Sequence, residues 1–522
     1  MNAAGRLAPP IPGSPVAPGS LISIRGVRLG PVEPARSSNP SPGPLAGVLV
    51  TAAGKPLSLL YVDAARILAR LPDTIAPGDV PIVVGHAGQS SPAYTVQVKA
   101  NSFGIFARQP SPPKELPAEL QQPQVLESGP GKAMTLLGTG LGTEPPPDLE
   151  VRIGGQKAAR VTVQRAAGGL DSLTFEVPAN TPLGCQVPVL VRAGGTWSNT
   201  VPATLEAGGK RCPDDAPWVS QVLASPGKSG VILMLRFLLH IGLGNGKEMP
   251  KQWDSALADF SETSASPRGQ RFALPPAGAC MTYHGVLELG AFLNPPLPGE
   301  VRDSPPEGVT STDTLRNPFQ VPVSRHLDAG PAIAIRGRHG EKRIERDPQL
   351  PDSYLSHIGG EPPIPRVSTM PLFLDPGKFD LASRGGKDVG PFSAQVTMPA
   401  PLTWTNRLDY REARRSEGVT VKWRQRDNTR LVAILAGAAD RVTGAGSLSL
   451  CTAAPGSESF TIPPEALANL PATDALEDPG RPVTGIVLAS FPGKAEPGFR
   501  AEGLDSGHVI PVFVTGQPVS YK

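Results

Sequence analysis

Four cysteines, seven histidines, a run of arginines around one tryptophan and a few scattered carboxylates are the residues of this 522-residue chain that could do chemistry. Cys185, Cys212, Cys280 and Cys451 form no C-x-x-C pair, which removes zinc-ribbon, thioredoxin and haem-attachment readings. An even cysteine count in a strand-rich chain fits two disulfides made in an oxidising compartment; four buried thiols packed as small hydrophobes is the alternative. Four cysteines allow three pairings, and Cys185–Cys212 with Cys280–Cys451 is the expected one. His86, His240, His284, His326, His339, His357 and His508 are dispersed, with neither H-x-H nor H-E-x-x-H spacing, so no local metal set is expected. Pro226-Gly227-Lys228-Ser229 ends like a phosphate-binding loop, but Val222 stands where the first glycine is needed, and a turn is the simpler reading. There is no G-x-S-x-G elbow and no EF-hand loop. No cofactor is expected.

Three weaker constellations remain. Arg411, Arg414, Arg415, Lys422, Arg424, Arg426 and Arg430 surround Trp423 and could grip an anionic glycan or phosphates. Glu412, Glu417 and Asp427 interrupt the run, so alternation along a half-exposed strand explains it without a ligand. Trp197, Trp218 and Trp253 could stack on the apolar faces of sugars, although scattered tryptophans usually serve a core or its rim. Asp375 and Asp380 could act as a hydrolytic pair, but two carboxylates are common in any sequence and spacing gives no glycosidase geometry.

The elements that must position these residues follow from composition. Glycine (58) and proline (63) make up nearly a quarter of the chain, which excludes a mainly helical protein. No Gly-X-Y period appears, and 39% hydrophobic residues in short Val/Leu/Ile runs argue against wholesale disorder. An all-β chain of several domains remains. With 49 basic against 46 acidic residues the net charge is +3, so no strong attraction to nucleic acid is expected. The longest apolar stretch, 231–243, is broken by Arg236 and His240; it is too short and too charged to span a bilayer and reads as buried strand. The first twenty residues carry no export-signal core, and residues 1–17 read as a flexible arm.

Two segments repeat. The glycines of Pro18-Gly19 through Gly26 to Gly30 recur as Pro130-Gly131 through Gly138 to Gly142, at an offset of 112. Val80-Pro81-Ile82-Val83-Val84 is echoed by Val187-Pro188-Val189-Leu190-Val191, and each copy closes on a further strand, 94–98 and 201–205. Turn signals roughly every 8–12 residues fit a seven-stranded sandwich. The division expected is an arm (1–17), repeat 1 (18–108), a Pro-rich linker (109–124), repeat 2 (125–212), then three β regions at 213–325, 326–400 and 401–522. A short helix is expected over 463–470. Pro81, Pro188 and Pro202 read as strand prolines that blunt sheet edges.

The repeats resemble the IPT/TIG-type immunoglobulin-like modules of secreted acidobacterial proteins. The matching residues are Gly19-Ser20 to Leu29, Pro56 to Val62, Ala69 to Pro72, Pro77-Gly78 and Ser102 to Phe106, with Pro182 to Val189 in the second copy. The remainder is similar to the companion region of those proteins through Leu327 to Gly330, Phe373 to Gly377, Asp388 to Phe392, Thr403 to Asn406, Phe460 to Pro463 and Gly503 to Gly507. The resemblance implies tandem immunoglobulin-like sandwiches followed by further β-sandwich domains, exported, with no assigned catalysis. The expected function is a non-enzymatic extracellular or cell-surface spacer, adhesin or assembly subunit. Its partners would be other extracellular proteins, itself or a surface polysaccharide. Carbohydrate-binding modules accessory to a polysaccharide-active enzyme are the alternative.

Overall fold

The computed structural model describes all residues except 8, 10, 107–125, 167, 209–216, 225–226, 243–247, 264–273, 287–324, 347–353, 363–368, 441–443, 474–483 and 497. The Pro-rich linker, Cys212 and Pro226 therefore lie outside the described residues. The chain is all-β, with immunoglobulin-like sandwiches in tandem at its N-terminal end.

Repeat 1 packs two sheets face to face. One has the order Leu21–Arg25, Arg66–Arg70, Ser58–Val62, Ala35–Arg36; the other is built on Gly78–His86, flanked by Val48–Ala52 and Tyr94–Val98. Alternation of apolar residues explains the core: Val48, Val50 and Ala52 face Ile22, Leu59, Ile67 and Ala69, while the residues between them face out. Repeat 2 repeats the plan. Ala133–Thr139, Leu170–Glu176 and Ala159–Ala166 form one sheet, and Gly184–Ala193 between Glu150–Ile153 and Val201–Leu205 is the spine of the other.

Of the three strand prolines, Pro202 turns its donorless nitrogen to the outer side of Val201–Leu205, as expected of an edge, and the other two do not lie at edges. Pro81 and Pro188 lie in strands flanked on both sides, and Pro188 directly opposes Pro202. The Gly154 amide donates to the Pro188 carbonyl, so the nitrogens of this pair point away from each other and neither proline removes a hydrogen bond between the two strands.

The arm at 1–17 is also unlike the expectation. Leu7, Ile11, Val16 and Ala17 are almost fully buried. Asn2 bridges to Ile22 and Val16 bridges to Val98, so the segment adds backbone pairing to the outer strand of each repeat-1 sheet. Its apolar residues, spaced among prolines and glycines, find a seam between domains, and burial there outweighs the freedom of a solvated arm.

The C-terminal half does not divide into the three successive regions expected. One nine-stranded sheet draws strands from all of them, in the order Cys280–Val286, Ala445–Ala453, Arg430–Ala439, Thr484–Pro492, Ser506–Gln517, Gly227–Gly242, Glu248–Thr263, Arg325–His326, with Tyr354–Gly360 also paired to Glu248–Thr263. Gly227–Gly242 and Glu248–Thr263, 16 residues each, pair antiparallel along their whole length, so the apolar run reads correctly as strand. Gly227–Gly242 then pairs in parallel with Ser506–Gln517, near the other end of the chain, which is a connection that local sequence does not encode.

One face of this sheet is covered in two places. Ile232, Met234 and Val509 pack under a four-stranded sheet carrying Ile333, Ile335, Phe379 and Val396. Val432, Ile434 and Leu488 pack under Val421, Trp423 and Ile462 with the helix Pro464–Leu467. The opposite face carries Leu431, Leu435, Leu450 and Val512 and meets the helix Trp218–Ala224 through Val219 and Val222. Cys280 and Cys451 oppose each other in neighbouring strands and form a disulfide across 171 residues of sequence. Cys185 is also disulfide-bonded.

Candidate functional site

The basic run separates into two groups. Strand Val419–Arg424 alternates: Val419, Val421 and Trp423 enter the core while Thr420, Lys422 and Arg424 face outward. Trp423 is 1% exposed, so it offers no face to a ligand, contrary to its expected part in a basic-aromatic patch. Lys422 and Arg424 stand on an exposed sheet face of hydroxyls, opposite Ser459 and Thr403, beside a Thr420–Thr461 hydroxyl pair at 2.8 Å. The other group works on the protein itself. Arg415 donates to the carbonyls of Leu470 and Lys522, Arg414 pairs with Glu417, and the Arg411 carbonyl accepts from the Ser520 amide. Arg426 is exposed.

Arg430 is buried, and among the described residues no carboxylate forms an ion pair with it. Its guanidinium donates to Ser490 Oγ and to the carbonyls of Ser490 and Pro511, where the neighbouring strands stop pairing. Burial lowers its pKa to about 10.

The tryptophans are engaged as well. Trp253 is buried and stacks on Phe237 with centroids 4.5 Å apart. Trp218 meets His508 edge-on. Trp197 is covered by the Arg152 guanidinium at 5.7 Å.

Asp375 gathers three donors. It accepts from Arg236 Nη1 at 3.0 Å, from His339 Nε2 at 2.8 Å and from Arg338. The His339 hydrogen bond, against some burial and with Arg236 and Arg338 adding, brings its pKa down to about 2. A carboxylate so stabilised is a poor proton donor or acceptor near neutrality. Asp380 instead faces Gln395 on the outside of its sheet. Beneath Asp375, Arg236 makes a bidentate pair with fully buried Asp254, which also accepts from the Phe373 and Leu374 amides. Sequence reading missed Asp254. Its signal was the arginine inside an apolar strand, since a buried guanidinium requires a partner on the next strand.

His284 donates to or accepts from Ser447 Oγ at 2.8 Å, and burial drives its pKa to about 3. Among the described residues no group of three or more His, Cys, Asp or Glu side chains converges to hold a metal. Lys228 begins a strand, where a phosphate cradle needs a helix, and its amide donates to Asp505. No described helix is long and apolar enough to cross a membrane.

The most extensive polar machinery sits at the joints between domains. Asn2 Nδ2 donates to the carbonyls of Ser102 and Thr139, and the Leu21 amide donates to Thr139 Oγ1, tying repeat 1 to repeat 2. Asn199 exchanges hydrogen bonds in both directions with Ile105. Arg152 of repeat 2 pairs with Glu465 of the C-terminal body at 2.7 Å. Asn469 donates to the carbonyls of Trp197 and Ser198.

No protein-family model matches the chain, and no curated protein matches it in sequence. Among solved structures, it is similar to a Bacteroides ovatus mixed-linkage glucan utilization locus protein, SGBP-B, in complex with a mixed-linkage heptasaccharide (TM-score 0.21, 13% identity, 50% of this chain and 69% of that one). It is also similar to fibronectin(III)-like modules of Clostridium thermocellum CbhA (TM-score 0.13, 13% identity, 39% and 98%) and to surface layer protein SbsC, domains 4–9 (TM-score 0.13, 10% identity, 90% and 72%). At these scores the strand pairings given above, and not the likenesses, establish the fold.

Proposed function

We propose that this chain is a non-enzymatic extracellular or cell-surface protein that acts as a rigid spacer or assembly subunit. The observation that carries the reading is the chemistry of the joints. Domains on a freely moving string expose solvated linkers with few crossing contacts. Here the seams are closed by buried asparagines bonded to backbone carbonyls, by a half-buried Arg152–Glu465 pair and by a proline-rich segment packed into the cleft. Such directional bonds, out of water, hold one orientation. The Cys280–Cys451 disulfide supports an oxidising compartment. The loss of Trp423 and Trp253 to the interior, and the capping of Trp197, weigh against the carbohydrate-binding alternative, which is left with Lys422 and Arg424 on their hydroxyl face.

Solution scattering of the monomer tests the proposal. A single rigid conformation should account for the whole curve, and Asn469→Ala with Glu465→Gln should raise the radius of gyration and broaden the distance distribution. A curve that requires an ensemble of independent domains in the unaltered protein would end the spacer reading. A glycan array giving saturable binding that Lys422→Ala abolishes would favour the alternative.

A further inference from the structure

The edges of the tandem sandwiches are closed systematically. In repeat 1, the outer side of Leu21–Arg25 is paired by residues 1–3 through Ala3 N to Leu21 O and Ser23 N to Met1 O. The outer side of Tyr94–Val98 is paired by Val16, which bonds the Gln97 carbonyl and the Lys99 amide. In repeat 2, Glu127–Ser128 pairs with Thr204 and Leu205 at the end of Val201–Leu205, and Gly104–Ile105 pairs with Gly138 and Thr139 at the end of Ala133–Thr139. The remaining outer strands of these sheets, such as Ala35–Arg36 and Gln156–Lys157, are two residues long. Strand Ala159–Ala166 has a longer open edge than these: eight residues, paired among the described residues only with Leu170–Glu176. An open edge of this length presents a row of unpaired backbone donors and acceptors.

Its side chains are also unfinished. Val161 and Val163 pack against the repeat-2 core yet stay partly exposed, because the sheet stops at their strand. A register shift between Ala159 and Thr162, with Arg160 at φ 52°, marks a bulge at residues 160–161 and leaves Thr162 onward in regular register.

We propose that this edge pairs with the same edge of a second copy, extending the sheet across a two-fold axis. Symmetry selects the register. In a continuous antiparallel sheet whose two-fold axis is perpendicular to it, opposed residues must lie on the same face, so their numbers sum to an even value. Arg160 sits in the bulge, outside the regular register, and with the pairing centred on Thr162 the two copies of Arg165 lie several residues apart, so the like-charge clash that would forbid self-pairing is absent. Centring on Thr162 places Thr162 against itself, brings Val161 of each copy toward Val163 of the other, and joins the half-covered valines of both copies into one apolar row. This surface deepens the assembly-subunit half of the function proposed above, naming the partner as the chain itself.

Single cysteines in the full-length protein test it, since no free cysteine is present among the described residues to compete. Directly opposed residues have Cβ atoms about 5 Å apart. Thr162→Cys should therefore give a disulfide-linked dimer under mild oxidation at high micromolar concentration, read by non-reducing electrophoresis and intact mass. Gln164→Cys, whose two copies would sit several residues out of step, should crosslink at least tenfold less. Sedimentation velocity of the unaltered protein should show a concentration-dependent dimer, and Thr162→Lys, which sets like charges opposite each other at an exposed position, should abolish it with a melting temperature little changed. A monomer at every concentration, equal crosslinking by both cysteine variants, or a dimer indifferent to Thr162→Lys would each overturn the proposal. None of these outcomes bears on the monomer scattering that tests the spacer, so the two can fail separately.

Discussion

Two buried cationic or titratable residues control the chemistry of the C-terminal body at the scale of single side chains. His284 is held neutral: its ordinary pKa of 6.5 falls to about 3 through burial. The unfolded chain takes up the proton first, so this residue's effect on stability is absent above pH 6.5. Stability is lost progressively as pH falls from 6.5 toward 3, with a slope of about 1.4 kcal/mol per pH unit. Denaturant midpoints measured across that window should show the slope in the unaltered protein and a shallower one in His284→Gln. Arg430 offers a second test. Replacing it by Met strands the Ser490 and Pro511 carbonyls at the point where their strands part, which should cost about 1–3 kcal/mol by chemical denaturation. Neither role was legible in the sequence. His284 looked like one of seven scattered histidines, and Arg430 like the end of a surface basic run; only the neighbouring strands reveal that each is enclosed.

Individual elements succeed or fail as expectations for identifiable reasons. Ser447, Leu448, Ser449 and Leu450 alternate, and the inward serines donate to Asn469 and Ala466 carbonyls around the short Pro464–Leu467 helix, satisfying groups that a four-residue helix cannot bond itself. That helix was readable from its leading prolines and the alanines and leucines that follow. The helix Trp218–Ala224 was not: its Val219 and Val222 contribute a strand-like composition, and packing on the sheet decides its conformation. The N-terminal segment was misread because proline and glycine signal freedom only when nothing adjacent can bury their neighbours. Ile11→Ala should destabilise the protein by about 2–4 kcal/mol in urea titrations, where a solvated arm would give no change.

The molecule as a whole is closed by long-range pairing. Gly227–Gly242 lies beside Ser506–Gln517, and Cys280 is bonded to Cys451. A disulfide enclosing so long a loop restricts the unfolded chain strongly, so Cys280→Ser with Cys451→Ser, or reduction, should lower stability by about 2–5 kcal/mol, measured as a fall in the thermal midpoint. Because strands from three sequence regions share one sheet, the loss should appear as a single cooperative shift of the C-terminal body and not as the melting of one segment.

Alternating apolar residues, glycine-marked turns and a repeat at fixed offset were enough, without coordinates, to establish all-β character and two like sandwiches, because strand faces and turns are set by neighbours a few residues apart. Tertiary structure alone decided the rest: that the C-terminal regions interleave into one sheet, that Trp423 faces inward, that Arg236 finds Asp254, and which edge stays open. Each of these depends on which distant strand lies alongside. That choice is made by the total burial of apolar faces and the satisfaction of every enclosed polar group, quantities that no local stretch of residues contains.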